Sequence, residues 1–280
     1  MKNSLKCSIV IRTHNHAAYL ERLLKKIKLQ KNVLPPEIIV IDSKSKDKTK
    51  DICKKYGCQI IEIDPSTFTH ASTFNLGAKS AKNEIILYAS VDVIPKNDLW
   101  LFNLLKHFTD KKVAGVFSKQ EPIKNFNFIE EFKLKKMFPD NGTTIAKFSN
   151  ASGALRKSVW KKIKYDENVP YQHIGGEDQT LIAEAKKLGY KVIYEPESVV
   201  YHSHKHNLKS RIKMAYQIEL NKEQVSKWNQ DVAMLNYSKK DLIKYLIKKK
   251  AFKDLFVDLI LGGILMRLYA LKAKVDRKKN

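Results

Sequence analysis

Glu177 and Asp178, preceded by Gly175 and Gly176, are followed further along by Tyr201-His202-Ser203-His204, so a short stretch of chain carries paired carboxylates and imidazoles. A carboxylate can take a proton from an attacking hydroxyl, and an imidazole can share a proton or hold a metal. The Gly pair allows a tight turn into a helix predicted over 177–188, in which Leu181, Ile182, Ala185 and Leu188 recur at helical spacing. The acidic pair then falls in the first turn, where free backbone amides and the helix dipole favour negative charge. Helix capping alone would account for an isolated pair. Further acidic and polar residues at the ends of predicted strands turn it into a constellation.

Those strands follow a repeated strand, turn, helix pattern. The apolar run 7–12 ends in Thr13-His14-Asn15 and leads to a helix whose Leu20, Leu23, Leu24 and Ile27 mark one face. A β-branched strand, 37–41, ends at Asp42 and precedes a helix over 47–56. A third strand over 59–63, a short helix over 73–80 and a fourth strand over 84–89 deliver Ser90-Val91-Asp92. This alternation predicts an α/β fold with a mainly parallel sheet flanked by helices. In such sheets ligands bind beyond the carboxyl ends of the strands, which assigns Thr13, Asp42 and Asp92 to one potential site. Residues 148–160 read as another strand turning into a short helix. There Ser149, Asn150 and Ser152 are small and polar where a ligand could pack, or are ordinary turn formers. Trp160 is either a stacking platform for a ligand or core. The irregular, Pro-punctuated segment 121–141 reads as a loop and helix facing the site.

The 280 residues can bury a sizeable core, partitioned here into a catalytic domain, 1–206, and a basic helical extension, 207–280. Residues 205–280 hold 19 Lys and Arg against 7 Asp and Glu, half of the net charge of +24. Such a surface attracts anions, but no zinc-finger or RNP-type motif accompanies it, which argues against a nucleic-acid module. Cys7, Cys53 and Cys58 suit neither a disulfide framework nor a zinc site and point to a reducing cytoplasm. No signal peptide is read at the amino terminus. The tail predicts helices over 208–228, 239–249 and 252–274. The last includes an apolar run broken by Asp258, Gly262, Gly263 and Arg267, shorter than the roughly 20 clean residues of a spanning helix. With Lys248-Lys249-Lys250 before it and Arg277-Lys278-Lys279 after it, the run fits an amphipathic segment on an anionic membrane at the inner face of the cell. A dimerising or core-packing helix is the alternative.

In order, IVIRTHN, EIIVIDSKSKDKT, IDPSTFTHASTFNLGAKSA, ILYASVDVIP, FSNASGALRKSVW, GGEDQ and YHSH resemble a family 2 glycosyltransferase of the GT-A fold, in particular its bacterial rhamnosyltransferase-like members, over about residues 5–206. The resemblance implies an inverting enzyme that moves a sugar, rhamnose among the candidates, from a UDP- or dTDP-linked donor. The acceptor would be a hydroxyl of a bacterial surface glycan or lipid-linked molecule. It places Thr13, Asp42, His70, Asn75 and Asp92 on the nucleotide-sugar, and Asn150, Ser152 and Trp160 on the acceptor. Asp178 becomes the base and Glu177 an acceptor contact, with an exchange of the two roles left open. Asp92 and His204 become ligands of Mn2+ or Mg2+. The chain departs from the family pattern twice: Asp92 is the one carboxylate of the acidic metal motif, and Phe74 stands where an Arg is expected. Two alternatives are a nonenzymatic sugar-nucleotide or polyanion binder and a nucleotidyltransferase, although no Gly-rich, Lys/Arg-bearing loop follows Ile11.

Overall fold

The computed structural model describes residues 5–123, 128–142, 148–167, 177–203, 238–252 and 262–279, with a few isolated positions besides. Two compact units divide the chain: Met1–Gln120 with Pro139–His202, and Glu121–Phe138 with Ser203–Asn280. The segment 121–138, predicted within the catalytic domain, thus groups with the tail.

The first unit is built on an eight-stranded sheet of order β3-β2-β1-β4-β7-β6-β8-β5. Its strands are β1 Cys7–Thr13, β2 Glu37–Asp42, β3 Gln59–Glu62, β4 Ile85–Ser90, β5 Ile94–Pro95, β6 Val113–Glu121, β7 Ser152–Arg156 and β8 Lys191–Tyr201. Strands β3, β2, β1 and β4 are parallel. Strand β7 runs against both β4 and β6, and β5 against β8, so the sheet is mixed rather than uniformly parallel. Strand β1 is buried almost throughout, as a central strand covered on both faces must be.

Helix α1, Ala17–Lys28, buries the predicted face of Leu20, Leu23, Leu24 and Ile27 against the core. Helix α2 spans Thr49–Lys55 and α3 spans His70–Ser80, starting three residues before the prediction. The reason is a capping box: the Thr69 hydroxyl accepts from the Ser72 amide at 2.9 Å, and the Thr69 amide donates to the Ser72 hydroxyl at 3.3 Å. Helix α4, Trp100–Leu105, contributes Trp100, Leu101, Leu104 and Leu105 to the core. Helix α6 is Lys157–Ile163, and α7 is Glu177–Lys187 with Leu181, Ile182 and Ala185 buried. Leu188 follows the end of α7 and is exposed.

In the second unit α5, Phe128–Met137, packs on α8, Lys239–Lys248. Ile129 and Phe132 meet Leu242, Leu246 and Ala251 in a small core of their own. Helix α9, Gly262–Lys279, runs five residues past the predicted end, while most of 253–261, in the first half of the predicted helix, lies outside the described residues. The predicted helix 208–228 lies almost wholly outside the described residues.

Candidate active site

Sheet register assembles the site. Thr13 lies opposite Asp42, Arg12 opposite Ser90, Ala89 opposite Ser152, and Ile94 opposite Tyr201. The ends of β1, β2, β4 and β8 therefore share one edge of the sheet. Because β7 is antiparallel to β4, its beginning, next to Asn150, reaches the same edge.

At one end of this edge the loops after β1 and β2 are joined. The Asn15 amide donates to Ser45 Oγ at 2.8 Å, and Asn15 Oδ1 accepts from the Lys46 amide at 2.7 Å. His14 Nδ1 donates to the Ser43 carbonyl at 2.7 Å. Asp42 is fully buried, and its carboxylate accepts from the Ser45 amide at 3.0 Å and from the Ser45 hydroxyl. It helps fix the loop, while its four lone-pair sites leave capacity for another donor. Thr13 Oγ1 is buried and finds no hydrogen-bond partner among the described residues. Buried polar groups are ordinarily paired, so a hydroxyl of this kind suits a bound ligand.

In the middle, His202 Nδ1 meets Gln120 Oε1 at 2.8 Å. An amide oxygen only accepts, so Nδ1 carries the hydrogen and the lone pair of a neutral His202 is on Nε2. That Nε2 stands 3.6 Å from Asp92 Oδ1. A carboxylate oxygen and an imidazole lone pair this close form a donor pair that fits a divalent cation needing further oxygens from a diphosphate and water. No cluster of three His, Cys, Asp or Glu occurs among the described residues. His204, the predicted second ligand, lies outside them.

The acidic pair stands at the start of α7, while Gly175 and Gly176 lie outside the described residues. Burial, reinforced by the neighbouring Glu177 charge, pushes the Asp178 carboxyl up to about 7. Asp178 Oδ1 accepts from the Gln179 amide at 2.9 Å, and Oδ2 accepts from the Asn150 amide at 3.3 Å. The Asn150 side-chain oxygen accepts from the Tyr165 hydroxyl at 3.1 Å, and its Nδ2 has no partner among the described residues. A proton acceptor thus lies beside a buried, unsatisfied donor, an arrangement suited to a sugar hydroxyl.

Next to the pair is a residue that sequence reasoning passed over. Arg12 donates from Nη1 to His70 Nδ1 at 2.6 Å, and its guanidinium carbon lies 4.1 Å from the centroid of the Phe74 ring. Arginine cannot accept, so His70 Nδ1 must, and the imidazole is neutral. Glu177 Oε1 is 4.0 Å from the same nitrogen, too long to compete with the Arg12 bond. Burial lowers the guanidinium to about 10, with the Glu177 charge the main opposing influence. The position lacking the expected Arg, Phe74, therefore supplies the ring on which another Arg stacks. The sequence signal was a charged Arg in an otherwise uncharged, buried central strand.

Three predicted residues spend their polar groups internally. Asn75 Oδ1 accepts from the Trp160 indole at 2.8 Å and the Tyr165 amide at 3.0 Å, while Nδ2 donates to the Tyr165 carbonyl at 2.8 Å and Glu167 at 2.7 Å. Asn75 and Trp160 thereby clamp the chain after α6, and Trp160 is buried rather than offered as a platform. Ser152 is buried, its Oγ taking the Trp100 indole N–H at 2.9 Å and lying 2.7 Å from Ser118 Oγ. These contacts place it in the core beneath the edge.

Residues 8–161 match the model of a family described as glycosyl transferase family 2. The chain belongs to glycosyl transferase family 2. Membership decides for a glycosyltransferase and against the nonenzymatic and nucleotidyltransferase alternatives. Among curated relatives of this glycosyltransferase, the O-antigen chain rhamnosyltransferase RfbN of Salmonella typhimurium is 32% identical over 214 residues, 71% of this chain and 67% of the relative. The O-antigen chain rhamnosyltransferase WbaN of Salmonella anatum is 33% identical over 183 residues, 61% of this chain and 57% of the relative. Among solved structures, the mannosyltransferase PcManGT from Pyrobaculum calidifontis, in complex with GDP-Man and Mn2+, superposes with a TM-score of 0.63 at 15% identity, covering 98% of this chain and 87% of that one. Glucosyl-3-phosphoglycerate synthase from Mycobacterium tuberculosis, with Mn2+, UDP and phosphoglyceric acid, gives 0.58 at 16% identity, covering 82% and 79%. Both likenesses concern the fold, the GT-A arrangement of a mixed sheet flanked by helices.

Proposed function

We propose that this glycosyltransferase transfers a sugar with inversion from a UDP- or dTDP-linked donor, rhamnose the leading candidate, to a hydroxyl of a bacterial surface glycan of the O-antigen type or its lipid-linked precursor. The names of the two curated relatives support the sugar and the acceptor class. The observation that carries the chemistry is Asp178, whose carboxyl is pushed up to about 7 beside the Asn150 amide. A base of that strength is matched to taking a proton at neutral pH. In this reading Thr13 and Asp42 receive the base of the nucleotide, His70 lies on the donor side, Asn150 orients the acceptor, and Glu177 stays beside Arg12. Asp178→Asn should keep nucleotide-sugar binding within a few-fold and lower turnover by roughly a hundredfold or more. Unchanged turnover in that variant would end the assignment.

Asp92 and His202, with His204 as a further candidate, would hold Mn2+ or Mg2+, the first of which accompanies the nucleotide in both solved neighbours. When bound, the cation neutralises charge on the departing diphosphate. Asp92→Ala and His202→Ala should each weaken nucleoside-diphosphate binding in Mn2+ far more than in chelator. Equal losses under both conditions would remove these residues from the metal site.

Among the described residues no helix is long and apolar enough to cross a membrane. We place the second unit on an anionic bilayer instead. Helix α9 exposes Ile264, Leu268, Leu271 and Val275, one face at helical spacing, with Arg267, Lys272 and Lys274 beside it. Self-association through this face would bring like charges together, whereas anionic lipid complements them.

A further inference from the structure

Arg12 is costly where it stands. It occupies a central strand, flanked by Ile41 on β2 and Ser90 on β4, and a guanidinium taken out of water must recover its solvation from neighbours. The face of Phe74 at 4.1 Å and the more distant Phe68 ring at 5.9 Å supply cation–π attraction. His70 Nδ1 accepts one of its hydrogens. Among the described residues, the charged and titratable groups around it are His70 on α3, Tyr88 on β4, Tyr165 after α6, and Glu177 and Asp178 on α7. Burial keeps both phenols protonated, and the bond from Arg12 keeps His70 neutral. The carboxylate pair therefore supplies the negative charge that answers the guanidinium.

The two carboxylates are not equivalent toward it. Glu177 Oε1 lies 4.0 Å from the imidazole nitrogen to which Arg12 is bonded. Asp178 is turned instead to the backbone amides of Asn150 and Gln179. Two adjacent buried carboxylates resist ionising together, and a nearby cation selects which one ionises first. We propose that Arg12 is a positioning residue that divides the labour of the pair: it holds Glu177 as a fixed anion and so leaves Asp178 as the member that takes the acceptor's proton. The inference rests on the reading of Asp178 as base. It adds the reason why Glu177, with the longer side chain, is not that base.

The test is a carboxyl-carbon NMR titration of the full chain, with the pH dependence of turnover measured in parallel for wild type, Arg12→Gln, Arg12→Lys and Phe74→Leu. Removing the cation in Arg12→Gln should raise the titration of Glu177 by about one pH unit or more. It should also move the acid limb of kcat to higher pH while the KM for the sugar nucleotide changes little. Arg12→Lys should recover most of the shift, and Phe74→Leu, which removes the platform and leaves the charge, should give a smaller shift in the same direction. An unmoved Glu177 titration in Arg12→Gln overturns the proposal. If Arg12→Gln does not fold, an unmoved Glu177 titration in Phe74→Leu overturns it equally. A shifted Glu177 together with full activity in Asp178→Asn would uphold the hold on Glu177 and discard Asp178 as base. An inactive Asp178→Asn with an unmoved Glu177 would do the reverse.

Discussion

Because Asp178 titrates at about 7 in the folded protein and at about 4 in an unfolded chain, the native state binds the extra proton between those limits. Where the native state holds more protons than the unfolded one, stability falls as pH rises. Asp178 therefore leaves the fold uncharged and uncompromised near pH 4 and destabilises it progressively up to neutrality. Asn cannot ionise, so the melting temperature of Asp178→Asn relative to wild type should become more favourable to the variant from pH 5 to pH 8. A difference that stays constant over that range would contradict the buried, raised carboxyl. At this scale the sequence was legible in placement, since Thr13, Asp42, Asp92 and the pair on α7 stand at the element ends from which they were read. It was not legible where the role depends on a partner distant in the chain. Asn75 and Trp160 are polar or aromatic in plausible places, but their hydrogen bonds are to each other and to the chain around Tyr165. Arg12 acquires its role only once α3 lays Phe74 beneath it.

Helix α3 carries His70 in its first turn and presses its far end against the central strand. Its start depends on the Thr69–Ser72 capping box, a local signal that hydrophobic periodicity does not reveal, which is why the helix was predicted to begin at residue 73. Thr69→Ala should cost about 1 kcal/mol of stability and loosen His70 from Arg12. Gly77 meets β1 so closely that an added Cβ would lie 2.4 Å from a methyl of Val10. A valine on a buried strand has little freedom to turn away. Gly77→Ala should therefore destabilise by about 1–3 kcal/mol in denaturant unfolding, and a neutral result would mean that α3 can slide on the sheet. The alternating elements that build the parallel half were readable from apolar runs and strand ends. The reversal of β7 was not, since a short buried strand looks the same in either direction and its neighbours β4 and β6 are set by tertiary pairing.

For the whole molecule, half of the positive charge lies in residues 205–280, where α9 also exposes its apolar face. Replacing Ile264, Leu268, Leu271 and Val275 with Ser should abolish sedimentation with anionic liposomes and leave transfer to a soluble acceptor fragment intact. Raised salt should weaken liposome binding of the unaltered chain. Retained liposome binding in the Ser variant, together with a fall in oligomeric size, would assign the face to contacts between copies instead. The placement of β7 bears on how the protein is made. Strands β1 to β4 are complete once residue 90 has been synthesised, yet the partner that covers the outer edge of β4 ends only at Arg156. At about 5–20 residues per second the nascent chain exposes that apolar edge for roughly three to thirteen seconds. An uncovered edge of this kind templates pairing with other chains. A product ending near residue 123 should therefore aggregate or be held by chaperones, whereas one extended past β8 should not, and ribosome-stalled chains of the two lengths would tell them apart.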